Sequence, residues 1–190
     1  MRLRVYLDEK QMVEAHTEAS QRHQVSRLAG VTNQVISDGN PISVDFVGLL
    51  GEIGFAILFN AERDKTVSAR SGSVDFVFNG HNVEVKSSKH TKAHLLVPAY
   101  EIDGKMTVKE YCHVYCLMIV NIDERHITFA GWTERSNIIN ESRLDYFRGS
   151  TRQSFVLSQD KLDQLDDLTA HWLQVMAKSK GHKVELTDAE

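Results

Sequence analysis

Ser73-Val74-Asp75-Phe76-Val77-Phe78-Asn79-Gly80-His81-Asn82-Val83-Glu84-Val85-Lys86 reads as two short strands about a tight turn. Val74, Phe76 and Phe78 alternate with Asp75 and Val77, and Val83 and Val85 alternate with Asn82, Glu84 and Lys86. A period of two belongs to a strand whose successive side chains point to opposite faces. Asn79-Gly80 suits a type I′ turn, which needs positive φ at both central residues. A two-residue loop sets the register: Phe78 faces His81, Phe76 faces Val83, and Asp75 faces Glu84. Asp75, Glu84 and Lys86 then share one face, and Val74, Phe76, Val83 and Val85 cover the other. Opposed carboxylates repel by roughly 0.2–1 kcal/mol even when exposed, and by more when buried. A cation between them removes the conflict. Hard oxygen donors suit Mg²⁺ or Mn²⁺, which keep several waters and accept a phosphate oxygen.

Upstream, residues 43–60 form a strongly apolar helix in which Gly48, Gly51 and Gly54 recur every three residues. One side of that helix is bare, as close packing against a sheet requires. Residues 8–28 read as another helix, with a stripe of Met12, Ala15, Ala19, Val25 and Leu28 that ends at Gly30. A turn cluster follows at Asp38-Gly39-Asn40-Pro41, so residues 1–40 are expected to be a peripheral helical segment. Downstream, residues 93–99, 113–122 and 126–132 read as strands, giving a sheet of about five. Residues 133–140 suggest a short helix. A long C-terminal helix is expected over 158–180, with Leu162, Leu165, Leu168, Trp172 and Val175 facing inward. The expected class is α/β, a mixed sheet flanked by helices in one domain spanning 1–190.

Composition agrees with a folded globular chain: 190 residues, 42% of them hydrophobic and 25% charged, are enough for one sizeable core. The net charge of -4 means that nucleic acid would have to be met by a local basic surface. Between 63 and 92, six basic residues (Arg63, Lys65, Arg70, Lys86, Lys89, Lys92) stand against Asp64, Asp75 and Glu84. Cys112 and Cys116, four apart in an expected strand, are too distant for a disulfide, and a reducing compartment follows. Alternation would place both on one strand face, with His113 on the other and no second ligand pair, which argues against zinc. The start carries no signal-like apolar stretch, and the apolar run at 47–59 is interrupted by Glu52 and is short for a bilayer. The cytoplasm, without a membrane partner, is the expected location.

The tripeptide (D/E)xK occurs at Asp8-Glu9-Lys10, Asp103-Gly104-Lys105 and Glu84-Val85-Lys86, so by itself it says little. Only the third lies in an alternating strand, with an aspartate opposite and a glutamate in an apolar helix upstream. With that conjunction the chain resembles the PD-(D/E)XK nuclease superfamily and its restriction-endonuclease-like fold. The resemblance runs over about 48–132, in the order Gly51-Glu52, Ser73-Val74-Asp75-Phe76, Glu84-Val85-Lys86. Phe129-Ala130-Gly131-Trp132 and Ser154-Phe155-Val156-Leu157 are similar to phage-type members. Val74 departs from the pattern, since many members have proline there.

The resemblance implies that Asp75 and Glu84 bind the catalytic Mg²⁺ or Mn²⁺ with the backbone carbonyl of Val85, that Lys86 assists the attacking water, and that Glu52 holds a second metal or a bridging water. The implied activity is hydrolysis of DNA phosphodiester bonds, with an endonuclease mode, and a homodimer is one arrangement that would cut two strands. Ser87, Ser88, Lys89, His90 and Lys92, directly after the motif, and Arg70 before it are the candidate DNA contacts. The competing structural readings are a solvated hairpin face with a surface ion pair, a helix-edge position for Glu52, and a plain solvated connection at 86–92. The competing functions are a ribonuclease and a nucleic-acid-binding or assembly protein that keeps the fold without turnover.

Overall fold

Asn79 and Gly80 take φ of 49° and 79°, and Phe76, Val77 and Phe78 pair with Val83, Asn82 and His81. The turn chemistry therefore sets the register it was expected to set. The computed structural model describes residues 1–30, 41–63, 65, 74–146 and 152–188. In chain order its elements are β1 (Arg2–Tyr6), α1 (Glu9–Leu28), α2 (Pro41–Phe59), β2 (Phe76–Phe78), β3 (His81–Ser88), β4 (Leu95–Pro98), β5 (Tyr100–Ile102) and β6 (Lys105–Thr107). These are followed by β7 (Val114–Asn121), β8 (His126–Glu134), α3 (Arg135–Glu141), β9 (Arg143–Tyr146), β10 (Gln153–Leu157), α4 (Asp167–Ser179) and β11 (Lys183–Thr187).

The main sheet has six strands in the order β11-β1-β8-β7-β3-β2. Only β3 and β7 run parallel, because residues 89–113 cross over between them, whereas the other neighbours are antiparallel. The protein is thus α/β, a mixed sheet flanked by helices. Alternation along the strands divides the core in two. Val83, Val85, Cys116, Met118 and Phe129 pack with Leu49, Leu50, Phe55 and Leu58 of α2 on one side. Tyr115, Leu117, Ile119 and Ala130 pack with Leu95, Val97, Phe155, Leu157 and Ile138 on the other. That second layer is a three-stranded sheet, β4-β10-β9, beside α3.

Several expectations need correction. The N-terminal segment is not peripheral: β1 lies inside the main sheet between β11 and β8, with Leu3 and Val5 fully buried. α1 packs along α2, burying Ala15, Glu18 and Ala19 while leaving Leu28 exposed. The stretch 93–99 yields β4, but in the second layer. The long C-terminal helix is in fact a short 3₁₀ turn at Gln159–Lys161 and then α4. Between them Trp132 and Asp163 exchange backbone hydrogen bonds of 3.0 and 2.8 Å, which commits that backbone to the edge of β8. Asp166 then caps α4 by accepting from the Thr169 amide at 2.8 Å. Ala170, Leu173 and Ala177 are its buried side, whereas Leu168, Trp172 and Val175 are exposed. Small alanines let α4 lie close, and the larger residues are left outside.

The cysteines are free and buried but do not share a face, because β7 begins after Cys112. Cys112 sits in the second-layer core and Cys116 in the α2 core. Residues Ile42–Phe59 of α2, a longer stretch than the run at 47–59, are long and apolar enough by length and composition alone to cross a membrane, and half of that stretch is buried inside the protein. The turn residues 38–40 lie outside the described residues.

The three helix glycines fall into two kinds. A Cβ on Gly51 would sit 1.9 Å from Ser87 Oγ and 3.3 Å from Met118 Cβ, and one on Gly54 would sit 2.7 Å from Ile127 Cγ2. A Cβ on Gly48 meets nothing within 4 Å. Gly54→Ala is therefore expected to cost about 1–3 kcal/mol through overpacking. Gly48→Ala is expected to add about 0.5–1 kcal/mol from helix propensity alone. Urea denaturation of the two variants should show opposite signs; the same sign in both would contradict α2 lying against β7 and β8 through its glycine side.

Candidate active site

β2 begins at Phe76, one residue later than an unbroken ladder to Glu84 would need. The chain bends at Asp75, and its Oδ2 accepts the Val85 amide at 2.7 Å. A carboxylate thus serves an amide of β3 that faces the end of β2. The break also separates Val74 from Phe76: Val74 packs against the second-layer core and Phe76 belongs to the α2 core. Asp75 is consequently not simply opposite Glu84 on one strand face, though the two remain electrostatic neighbours.

Glu84 and Lys86 alternate on β3 beside Tyr115 and Leu117 of β7. The Glu84 side chain is 7% exposed and meets two ammonium groups: Lys86 on Oε1, and Lys109 at 3.0 Å from Oε2. Burial alone would push its carboxyl up, but Lys86 and Lys109 outweigh burial and hold it below its ordinary value. Lys109 moves up in turn: burial opposes its charge, and Glu84 overcomes that. Asp75 goes the other way. Burial first, then the charge of Glu52, raise it from the ordinary 3.8 to about 6, against the lowering influence of the Val85 amide and Lys86.

Glu52 reaches this region from α2 and is buried. Its two oxygens accept from Arg22 Nη1 at 3.0 Å and Nη2 at 3.1 Å, with Arg63 Nη1 3.6 Å away. Arg63 also forks onto Glu18 at 2.7 and 2.6 Å, and Arg22 reaches Glu18 at 3.0 Å. Two glutamates and two arginines from α1, α2 and the segment after α2 thus close into one network. Burial would raise Glu18, but Arg63 and Arg22 hold it below its ordinary value.

The structure brings Glu84, Lys86 and Glu52 each within electrostatic reach of Asp75. The following run is only partly a DNA-facing surface. Ser87 Oγ is buried beneath Gly51 without a hydrogen-bond partner, so its expected phosphate contact is corrected to a packing position under α2. Ser88 Oγ accepts the His90 amide at 3.1 Å and shapes the turn. Lys89, His90 and Lys92 are exposed. The basic excess at 63–92 is also reduced, because Arg63 is buried in ion pairs and Lys65 lies 2.8 Å from Glu14. Arg70 lies outside the described residues. Val85 offers its amide to Asp75, and its carbonyl is the group the resemblance assigned to the metal.

Sequence reasoning missed Lys109, Arg22 and Glu18. Nothing near Lys109 marks it, since a crossover loop delivers it. Glu18 and Arg22 were legible as an i, i+4 pair on a helix, but their joint hold on Glu52 depends on how α1 crosses α2. Among the described residues, no three His, Cys, Asp or Glu side chains gather as a metal cage. Compared with protein-family models, curated proteins and solved structures, the chain matches none.

Proposed function

We propose that this protein is a metal-dependent nuclease that hydrolyses DNA phosphodiester bonds at Asp75, Glu84 and Lys86, in the manner of the PD-(D/E)XK enzymes it resembles. The observation that carries the reading is electrostatic. Glu52 and Glu84 are buried, and half-buried Asp75 lies within their electrostatic reach, so that its desolvation and these two negative neighbours raise it to about 6. The raised Asp75 costs the fold stability once it ionises, and a carboxylate perturbed in this way is the kind that concentrates at functional sites.

The donor chemistry fits Mg²⁺ or Mn²⁺. Such ions are typically held by one or two carboxylates with water and substrate phosphate filling the remaining positions, so a full protein cage is not required. Asp75 and Glu84, with the Val85 carbonyl, are the residues that would hold the ion. When bound, it would supply a lowered water pKa and charge neutralisation at the phosphate. The chain's own contribution is arrangement. The Val85 amide fixes the Asp75 carboxylate, and the Arg22 fork fixes Glu52. Lys86, its side chain 28% exposed, keeps an ammonium at the rim, where it can orient a water and meet developing negative charge.

The test is cleavage of supercoiled, linear and single-stranded DNA by wild type and Lys86→Ala in Mg²⁺, Mn²⁺ and EDTA. Wild type should cut only with metal, and Lys86→Ala should be slower by about 10²–10⁴-fold. Cutting in EDTA, or a Lys86→Ala variant as fast as wild type, would sink the proposal. A second reading, a DNA-binding or assembly protein without turnover, draws on the fact that Glu52 and Glu84 each have both oxygens in ion pairs with cationic side chains. Binding without cleavage in either metal is its outcome.

A further inference from the structure

Lys109, which pairs with Glu84 of the candidate site, also has two tyrosines among its neighbours. Its ammonium lies 3.0 Å from Glu84 Oε2 and 5.7 Å from the centre of the Tyr111 ring. Tyr111 is 41% exposed. Tyr100 is a further electrostatic neighbour of Lys109, and the Arg152 guanidinium lies 3.9 Å over the Tyr100 ring.

Local structure fixes these groups. Asn82 Nδ2 of β3 donates to the Tyr111 carbonyl at 2.7 Å, and the Cys112 amide donates to the Lys109 carbonyl at 3.3 Å, which pins that loop beside the hairpin. Arg152 Nε donates to the Ala99 carbonyl at 3.0 Å, next to Tyr100. The chemistry described above uses none of Tyr111, Tyr100 and Arg152. The Lys109 ammonium suits a phosphate and the exposed Tyr111 ring suits a base face, and a base presents its face only when it is unpaired.

We propose that Lys109, Tyr111, Tyr100 and Arg152 form a track for an unpaired DNA strand adjoining the candidate site. This rests on the nuclease reading and makes the substrate a single strand, or a duplex with a single-stranded extension. Alternation of charge and ring suits a strand whose backbone and bases are both accessible. A duplex would offer this surface only its phosphates.

The experiment is fluorescence anisotropy in EDTA, with a labelled oligothymidine and a duplex of equal length. Tyr111→Ala should weaken oligothymidine binding by about 5–50-fold while changing duplex binding far less. Tyr111→Phe, which keeps the ring, should bind as wild type. Lys109→Ala should weaken binding and lower the salt dependence by about one counterion. Lys183→Ala is the control, because its ammonium lies 3.7 Å over Tyr6 on the far strands of the sheet, and it should have no effect. Melting curves matching wild type would establish that Tyr111→Ala is folded. Unchanged oligothymidine binding by Tyr111→Ala, or equal losses on single strand and duplex, overturns the track. Binding is read without metal, so absent cleavage would refute the nuclease reading without touching this result, and a failed track would leave metal-dependent cleavage standing.

Discussion

Asp75→Asn is expected to make the metal-free protein more stable at neutral pH and to abolish cleavage. In the wild type, burial and the charge of Glu52 raise Asp75 to about 6. The unfolded chain releases that proton near pH ~4 while the folded chain keeps it until about 6, so stability falls as pH rises through this window. Above it the cost is fully present, at most about 3 kcal/mol for a shift of this size. Asparagine removes the charge and keeps an oxygen to accept the Val85 amide. A gain of roughly 1–3 kcal/mol at pH ~8 should follow, raising Tm by about 2–4 °C per kcal/mol. At pH ~4 the gain should vanish, because the wild-type carboxyl is then protonated too. Mg²⁺ should stabilise wild type and leave the variant unchanged, since only the ionised carboxylate gains from a cation. Thermal melts at both pH values with and without Mg²⁺ test each part. A gain that persists at low pH would place its origin elsewhere, and retained cleavage would remove Asp75 from the site.

The hairpin and its carboxylates were legible in the sequence because the signals are local. Asn79-Gly80 fixes register within four residues, and a period of two fixes which residues alternate. Glu84 and Lys86 therefore emerged where expected. Asp75 was placed at the right point of the chain but with the wrong geometry, because a bend at the end of a three-residue strand depends on whether a side chain or a carbonyl serves the Val85 amide. What escaped was long-range. β1 gives no strand signal beyond Leu3 and Val5, and its place in the sheet follows from pairing with β11 at the opposite end of the chain. The C-terminal helix misled for a related reason: leucines at helical spacing continue through a segment whose backbone is taken up by Trp132. Lys109 and Arg22 join the site only through the fold, and no window of sequence contains them together with Glu84 or Glu52.

Arg63→Ala should be among the most destabilising single changes in the protein, at about 3–5 kcal/mol, the cost of leaving a buried charge uncompensated. Its side chain is 5% exposed, forks onto Glu18 at 2.7 and 2.6 Å and stands 3.6 Å from Glu52. Without it, Arg22 alone must serve two buried carboxylates that approach it from different helices. The pH dependence should change sign as well. In wild type, Glu18 is held below its ordinary value, so its contribution is present at neutral pH and lost as acid protonates it. In the variant, burial is no longer outweighed, Glu18 moves up, and acid relieves the fold. Urea denaturation at pH ~7 and ~5 should therefore find Arg63→Ala closer to wild type at the lower pH. Adding Glu18→Gln should recover much of the loss at neutral pH, because it removes the orphaned charge and keeps the shape. A loss below ~1 kcal/mol, or no recovery in the double variant, would mean that the network is a surface-grade ion pair. The stake extends beyond stability. Glu52 is the one carboxylate of the candidate site that α2 supplies, and Arg22 on α1 holds it with Arg63 alongside. If the double variant folds normally yet binds Mg²⁺ more weakly than wild type, α1 is part of the candidate site's framework and not merely a cover over α2.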